Sequence, residues 1–361
     1  MDFIIENALK QDNKQDEIEL GMQTQARMKV IGCGGGGCNM IDWLYKKGVR
    51  GAEVIAVNTD SQHLNLVEAD KKILIGKELT KGRGAGGDPK TGENAAVESK
   101  NEVKEVLRDC DMLFICAGEG GGTGSGAAPV IAEIAKEVGS IVIGVVTMPF
   151  TVERTRIDKA EDSLQRLRRF CNSVVVIDNN RLVKLVGALP MKQAFAVANE
   201  LVATMIKSIV ETIAVVSLVN LDFADVKAIM KAGKVCSIGF GESESQGRVE
   251  EAVKRAMNNP LLEVDYKGAT GMLIHLTGGP DMKLEEVTNA CELITRNIDK
   301  DAMVIWGARI QDDMHGKIRI MLIATGVSSP WILGPERTEN NVSAPQSIRE
   351  VGNELGISII R

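Results

Sequence analysis

Two stretches of this 361-residue chain carry residue types suited to chemistry on a phosphate. From Gly118 to Gly126 the sequence reads GEGGGTGSG, six glycines in nine residues, so backbone N–H groups can close around a bulky anion with few side chains in the way. Thr123 and Ser125 add hydroxyl donors. The loop feeds a helix expected to begin near Ala127, whose unpaired N–H groups and positive dipole end point back at the loop. The second stretch is NLDFAD, with Asn220, Asp222 and Asp225. Acids at i and i+3 at a helix start share one face and can point at a single water. Helix capping, with Asp222 satisfying N–H groups at the start of DVKAIM, accounts for the same residues and is the simpler reading of that pattern by itself.

The surrounding elements must hold these groups in place. MLFICA before the first loop reads as a strand and VIAEIA after it as a helix. Upstream, MKVIGCGGGGCNMIDWLYKKG is a β-rich run, a glycine loop from Gly32 to Gly37 and a helix ending at Gly48. AEVIAVNTD is a strand that brings Asn58, Thr59 and Asp60 to its C-terminal end, where ligands lie in a doubly wound sheet. A further glycine loop (Gly82, Gly84, Gly86, Gly87) leads through Asp88 and Pro89 into a charged helix, Glu93 to Leu107. Ordering around a terminal phosphate and a plain surface turn both fit that loop. SIVIGVVTMPF and SVVVIDNN are strands flanking the helix RIDKAEDSLQRLRRF. Such alternation predicts an α/β, Rossmann-like domain with a parallel sheet over residues 27–190. One long helix then begins at Met191, apolar nearly all round and so expected to lie buried between two bodies. With NLDFAD it makes a central region, 191–232. Residues 233–330 read as an α+β domain with helices on one sheet face. Residues 1–26 are expected to be a flexible extension, and 331–361 a linker ending in a terminal peptide, GISIIR.

Composition narrows the function. A formal net charge of −6 and an aromatic content of only 3% argue against nucleic acid as a partner. Seven scattered cysteines fit a reducing compartment, and Cys33 and Cys38 lack the second ligand pair of a zinc site. Asp2 and Glu6 stand where an export signal needs positive charge, and no apolar run approaches the ~20 residues that span a bilayer. A cytoplasmic protein without direct membrane insertion is expected. No GxxxxGK[ST] motif occurs. Gly32-x-Gly34-x-x-Gly37 followed by Asp60 does satisfy the dinucleotide fingerprint, so an NAD(P)-dependent oxidoreductase has to be weighed. That reading leaves the denser loop at 118–126 unexplained, and His63, His275 and His315 form no hydride-transfer arrangement.

GGGTGSG, taken with the motifs before and after it, resembles the tubulin/FtsZ family of GTPases over roughly residues 27–327. Among its members the chain is most similar to archaeal ones, which often come as paralogues. The resemblance implies a GTP/GDP pocket in which Gly35, Gly36, Gly37, Cys38 and Asn39 take part and Gly122, Thr123 and Gly124 contact phosphates. Asn58 and the loop at 82–88 would line the γ-phosphate side. Asp88 departs from the usual asparagine there, an unfavourable charge unless it faces a cation such as Mg²⁺. Glu153 matches a ribose-binding glutamate and Arg156 its arginine partner, allowing a one-residue gap. Asn179 matches a base-contacting asparagine, Phe195 an aromatic against the purine, and Asn199 stands where aspartate is usual, which alters how guanine is read.

By the same resemblance Asn220, Asp222 and Asp225 act in trans, over the γ-phosphate of the next subunit in a head-to-tail filament. The implied role is a cell-division GTPase at the mid-cell division site, with GISIIR loosely similar to a peptide that meets a membrane-tethering adaptor. A tubulin-like scaffold that binds nucleotide and barely hydrolyses it is the alternative that Asn199, Cys38 and Asp88 keep open.

Overall fold

In the computed structural model the described residues are 26–215, 217–219, 221–231, 236–258, 264–296, 298–328 and 332–333. Asn220, nearly all of the expected N-terminal extension, and the tail peptide GISIIR lie outside them.

Six parallel strands carry the first sheet: β1 (Met28–Cys33), β2 (Ala52–Asn58), β3 (Lys71–Leu74), β4 (Met112–Gly118), β5 (Ile141–Met148) and β6 (Ser173–Asp178). Their spatial order is β6-β5-β4-β1-β2-β3. The order reverses between β1 and β4, and at such a switch point the loops leaving the two strands part to form a crevice. Both glycine-rich runs leave from it, since Cys33 pairs with Ala117 at the strand ends. β4 is buried over its first six residues, as a strand covered on both faces must be.

Helices fill the crossovers: α1 (Gly34–Lys47), α2 (Ser61–Leu66), α3 (Lys77–Thr80), α4 (Pro89–Glu98), α5 (Lys100–Val106), α6 (Thr123–Glu137), α7 (Thr155–Arg168) and α8 (Asn179–Val186). The single charged helix expected over 93–107 is broken at Ser99, whose hydroxyl accepts the Gly76 N–H at 3.1 Å. More consequential are the helix starts. α6 begins at Thr123 rather than near Ala127, and α1 begins at Gly34 inside its glycine run. These glycines form first helical turns because the turns press together. A Cβ on Gly34, which has φ +68°, would lie 2.7 Å from the Gly124 nitrogen.

The long helix α9 (Met191–Ala214) runs from the first sheet to the second, but only its later turns are buried, from Ala198 onward. Met191 is 76% exposed, because the opening turns flank the open site instead of lying between the sheets. After α10 (Phe223–Lys231) come β7 (Cys236–Ser243), α11 (Arg248–Met257), β8 (Gly271–Gly278), α12 (Leu284–Thr295), β9 (Met303–Ile310) and β10 (Ile318–Thr325). The second sheet has the order β7-β10-β8-β9, with β10 antiparallel to both neighbours and β9 parallel to β8. One face packs α11 and α12 through Val249, Ala252, Ile274 and Ile320. Ile238, Leu273 and Ile323 on the other face share a core with Val202, Ile206 and Ile209 of α9. Last, β11 (Ile332–Leu333) returns to the first sheet and pairs antiparallel with Val174 and Val175 of β6.

Candidate functional site

The crevice between β1 and β4 is lined by backbone. Gly35 and Gly36 are exposed in the first turn of α1, and a Cβ on Gly35 would meet nothing within 4 Å, so that turn faces open space. Opposite it, Gly122 is the N-cap of α6 and Thr123 and Gly124 open the helix. Two helix N-termini thus converge on one space with neither an acidic residue nor a side-chain cap in their first turns, the arrangement that favours an anion. Gly120 makes the turn between, with φ +85°. Its N–H donates to Ser125 Oγ at 2.8 Å, which folds the loop back on the helix it feeds.

Side chains lock this frame from below. The Thr59 and Thr123 hydroxyls meet at 2.6 Å, both buried. The Cys38 thiol points inward and donates to the Gly32 and Val57 carbonyls at 3.4 and 3.6 Å, leaving only its backbone toward the crevice. Burial pushes that thiol up to about 12. Asn58, at the end of β2, is 2% exposed. Its Oδ1 accepts the Thr59 and Asp60 N–H groups, and its Nδ2 meets His63 Nδ1 at 3.3 Å. Because the Asn58 amide nitrogen can only donate, His63 Nδ1 accepts, so the ring proton sits on Nε2 and donates to Asn39 Oδ1 at 3.2 Å. Asn39 is thereby oriented at the rim through a histidine that sequence reasoning had set aside.

The loop at 82–88 is pinned at both ends. Gly84 N–H donates to the Thr59 carbonyl at 3.1 Å, and Lys159 Nζ donates to the Gly87 carbonyl at 2.7 Å. Asp88 was expected to need a cation near the phosphates. Its carboxylate instead caps α4, accepting from the Lys90 and Thr91 N–H groups and from Thr91 Oγ1. Those hydrogen bonds lower its pKa, the Thr91 hydroxyl first, and Lys159 adds to the effect.

At the other side of the crevice Glu153 accepts the Phe150 N–H at 2.9 Å and pairs with Arg156 at 2.6 Å. Asn179 is half-buried in the first turn of α8, and Asn180 ties that turn to Thr151. Phe195 of α9 meets Phe150 edge-on, ring centroids 6.1 Å apart, leaving a partly exposed apolar corner. Asn199 lies one turn on along the same face. Phe150 is a second residue that the sequence reading missed, since nothing in the strand-ending PF marks it as half of an aromatic pair.

Asp222 and Asp225 stand apart from all of these. Asp222 caps α10, its Oδ1 accepting the Asp225 N–H at 2.7 Å, as the capping reading requires. Burial and the neighbouring Asp222 charge raise the Asp225 carboxyl from its ordinary value. The chain leading into these acids is held by His275 of β8, whose Nδ1 and Nε2 lie 3.3 Å from the hydroxyls of Thr212 and Ser217. Burial, with Arg309 nearby, pushes this imidazole down to about 4, so it is neutral. Leu218, 76% exposed, and Trp306 and Ile310 of the edge strand β9 leave apolar surface on the same part of the molecule, where Val219 bridges to Ala308.

Comparison with known proteins identifies the frame. Residues 27–187 match the model of the tubulin/FtsZ family GTPase domain, and residues 234–328 that of the FtsZ family C-terminal domain. Cell division protein FtsZ 2 of Methanocaldococcus jannaschii is 52% identical over 343 residues, covering 93% of this chain and 90% of that protein. Cell division protein FtsZ 1 of Pyrococcus furiosus is 51% identical, covering 88% and 85%. Among solved structures, an FtsZ dimer of M. jannaschii superposes with a TM-score of 0.78 at 45% identity, covering 90% of this chain and 92% of that one. A protofilament of CetZ2 from Haloferax volcanii, at 23% identity and a TM-score of 0.70, shares the fold. With both domain models matched in order and half the residues identical over nearly the whole length, the chain belongs to the tubulin/FtsZ family of GTPases, as a member of its FtsZ branch.

Proposed function

We propose that this chain is a filament-forming cell-division GTPase whose hydrolytic site is assembled between successive copies of itself. The observation that carries this is a separation. Phe195 and Asn199, offered to the base, sit near the start of α9, and Asp222 lies beyond its far end. From Phe195 to the helix end at Ala214 the rise is ~28 Å, more than the reach of a nucleotide's own triphosphate from its base. On this reading one subunit does not bring its own acids to the phosphate it holds. A second copy stacked head to tail does, and that contact is heterologous, so it propagates as a filament.

In this reading the amides at Gly35–Gly37 and Gly122–Gly124 take the phosphate charge, Glu153 and Arg156 the ribose, and Asn179, Phe195 and Asn199 the base. Asp222 and Asp225 of the next copy, with Asn220, orient a water for in-line attack on the γ-phosphorus. The bond to the bridging oxygen breaks, giving GDP and phosphate, and Asp225 is suited to take the water's proton because its carboxyl is already raised. Mg²⁺ would come with the nucleotide, held mainly by its phosphates and water, since Asp88 is committed to its cap. Residues 27–190 would be the nucleotide domain and 233–330 the domain presenting the next copy's partner face. The setting is the cytoplasmic face of the mid-cell division site, with the tail peptide meeting an adaptor. No helix among the described residues is long and apolar enough to cross a membrane.

One observation favours the scaffold reading: Asp222 already spends an oxygen on its cap. Turnover of GTP per subunit against protein concentration separates the two. A steep rise above a critical concentration, together with pelletable filaments, supports hydrolysis completed between copies. Turnover proportional to protein from the lowest concentration sinks it, and filaments without turnover leave the scaffold.

A further inference from the structure

Behind the phosphate loop lies a carboxyl group that none of these roles uses. Glu119 follows the last residue of β4 and is 5% exposed, and neither of its side-chain oxygens has a hydrogen-bond partner among the described residues. An ionised carboxylate buried without a partner is strongly destabilising. Its backbone is fixed where β4 meets β5, the N–H donating to the Thr147 carbonyl at 2.9 Å.

Two hydroxyls lie beside it, and each already bonds another group, Ser163 as donor and Ser125 as acceptor. Pro129, inside α6, has no N–H for the Ser125 carbonyl one turn back, and the Ser163 hydroxyl donates to that orphaned carbonyl at 2.8 Å. Ser125 Oγ in turn accepts the Gly120 N–H. The Glu119 charge in turn bears on the thiols of Cys33 on β1 and Cys171 after α7, both held neutral by burial. Burial raises the Glu119 carboxyl to about 7, and Ser163 and Ser125 offset this only in part.

We propose that Glu119 is a titrating positioning residue for the phosphate loop, protonated while the loop holds a nucleotide phosphate and loosening that hold when it ionises. This rests on the nucleotide-binding reading above. Ionised, the carboxylate would draw on the Ser163 and Ser125 hydroxyls beside it, which brace the Ser125 carbonyl and the Gly120 N–H and so fold the loop onto α6. It would also place a negative charge directly behind the phosphates. By linkage, nucleotide binding takes up protons near neutral pH and affinity falls as the pH rises. The free chain follows the same direction: it binds this proton more tightly folded than unfolded, so its stability declines as pH rises from the ordinary carboxylate range through about 7.

The test is GDP binding by calorimetry on the full chain, native and Glu119→Gln, from about pH 6 to about pH 8.5, with Glu119→Leu as a second variant. The native protein should weaken relative to both variants on the order of tenfold across that range. At about pH 7.5, where the nucleotide's own phosphates are already ionised, it alone should take up a fraction of a proton, read from buffers of different ionisation enthalpy. Parallel pH profiles, or no proton uptake by the native chain, would overturn the role of Glu119 while leaving nucleotide binding intact. A chain that binds no GDP at any pH would remove the nucleotide-binding reading, and this inference with it.

Discussion

Thr59, just past the end of β2, and Thr123, the first residue of α6, share a hydrogen bond of 2.6 Å between buried hydroxyls. Thr59 also accepts, through its carbonyl, the Gly84 N–H and the Thr80 hydroxyl. One residue therefore joins the strand end, the loop at 82–88 and the phosphate helix. Thr59→Val keeps the shape and removes the hydroxyl, leaving Thr123 without its buried partner. A loss of about 1–2 kcal/mol in urea unfolding is expected, together with weaker GDP binding. Unchanged affinity would show that the bridge supports the fold without setting the loop.

His63 transmits order from Asn58 to Asn39 through its two nitrogens. His63→Phe removes both bonds and leaves Asn39 unoriented at the rim. Steady-state turnover should show a KM for GTP raised about fivefold with kcat little changed, the pattern of an interaction made equally in ground and transition states. A fall in kcat with KM intact would place His63 elsewhere in the cycle.

The cap and the charge of Asp222 can be parted. Asp222→Ala removes the acceptor for the Asp225 N–H and should cost about 1 kcal/mol of stability, whereas Asp222→Asn keeps that acceptor and should cost little. Both should lower GTP turnover by ~100-fold or more while filaments still pellet. If the asparagine variant turns over like the native chain, Asp222 is a cap and no more.

His275 gives the fold a pH dependence of opposite sign to that of Glu119. Buried and neutral with a pKa near 4, it takes its proton in the unfolded chain near the ordinary 6.5 and in the folded chain only well below. The stability its neutral form contributes is complete above that upper value and is lost as the pH falls toward 4, on the order of 3 kcal/mol in all. Urea unfolding from pH 7 to pH 4 should therefore fall more steeply in the native protein than in His275→Leu.

Much of this could be read from the chain itself. Alternating apolar strands and helices gave the parallel sheet, and the glycine runs marked its switch point because few other sequences let two backbones approach so closely. What the runs concealed was their own conformation. Glycine is read as loop, yet Gly34 and Thr123 open helices, because tertiary contact between the two turns outweighs the low helix propensity of glycine. The unpartnered state of Glu119 and the relay through His63 depend on residues distant in sequence, and no local pattern encodes such partners. Asp88 misled for a related reason: its neighbours in sequence, Lys90 and Thr91, claim the charge that the crevice seemed to offer.

The length of α9 has a meaning beyond joining two sheets. If one end of this rod touches the base of the subunit's own nucleotide and the other presents acids to the next, its 24 residues act as a ruler for the axial repeat of the assembly. A helix resists compression far better than a loop. A displacement imposed at Phe195 when the nucleotide changes would arrive nearly undiminished at Ala214, where the chain leading to Asp222 begins, so spacing and signal would share one piece of backbone.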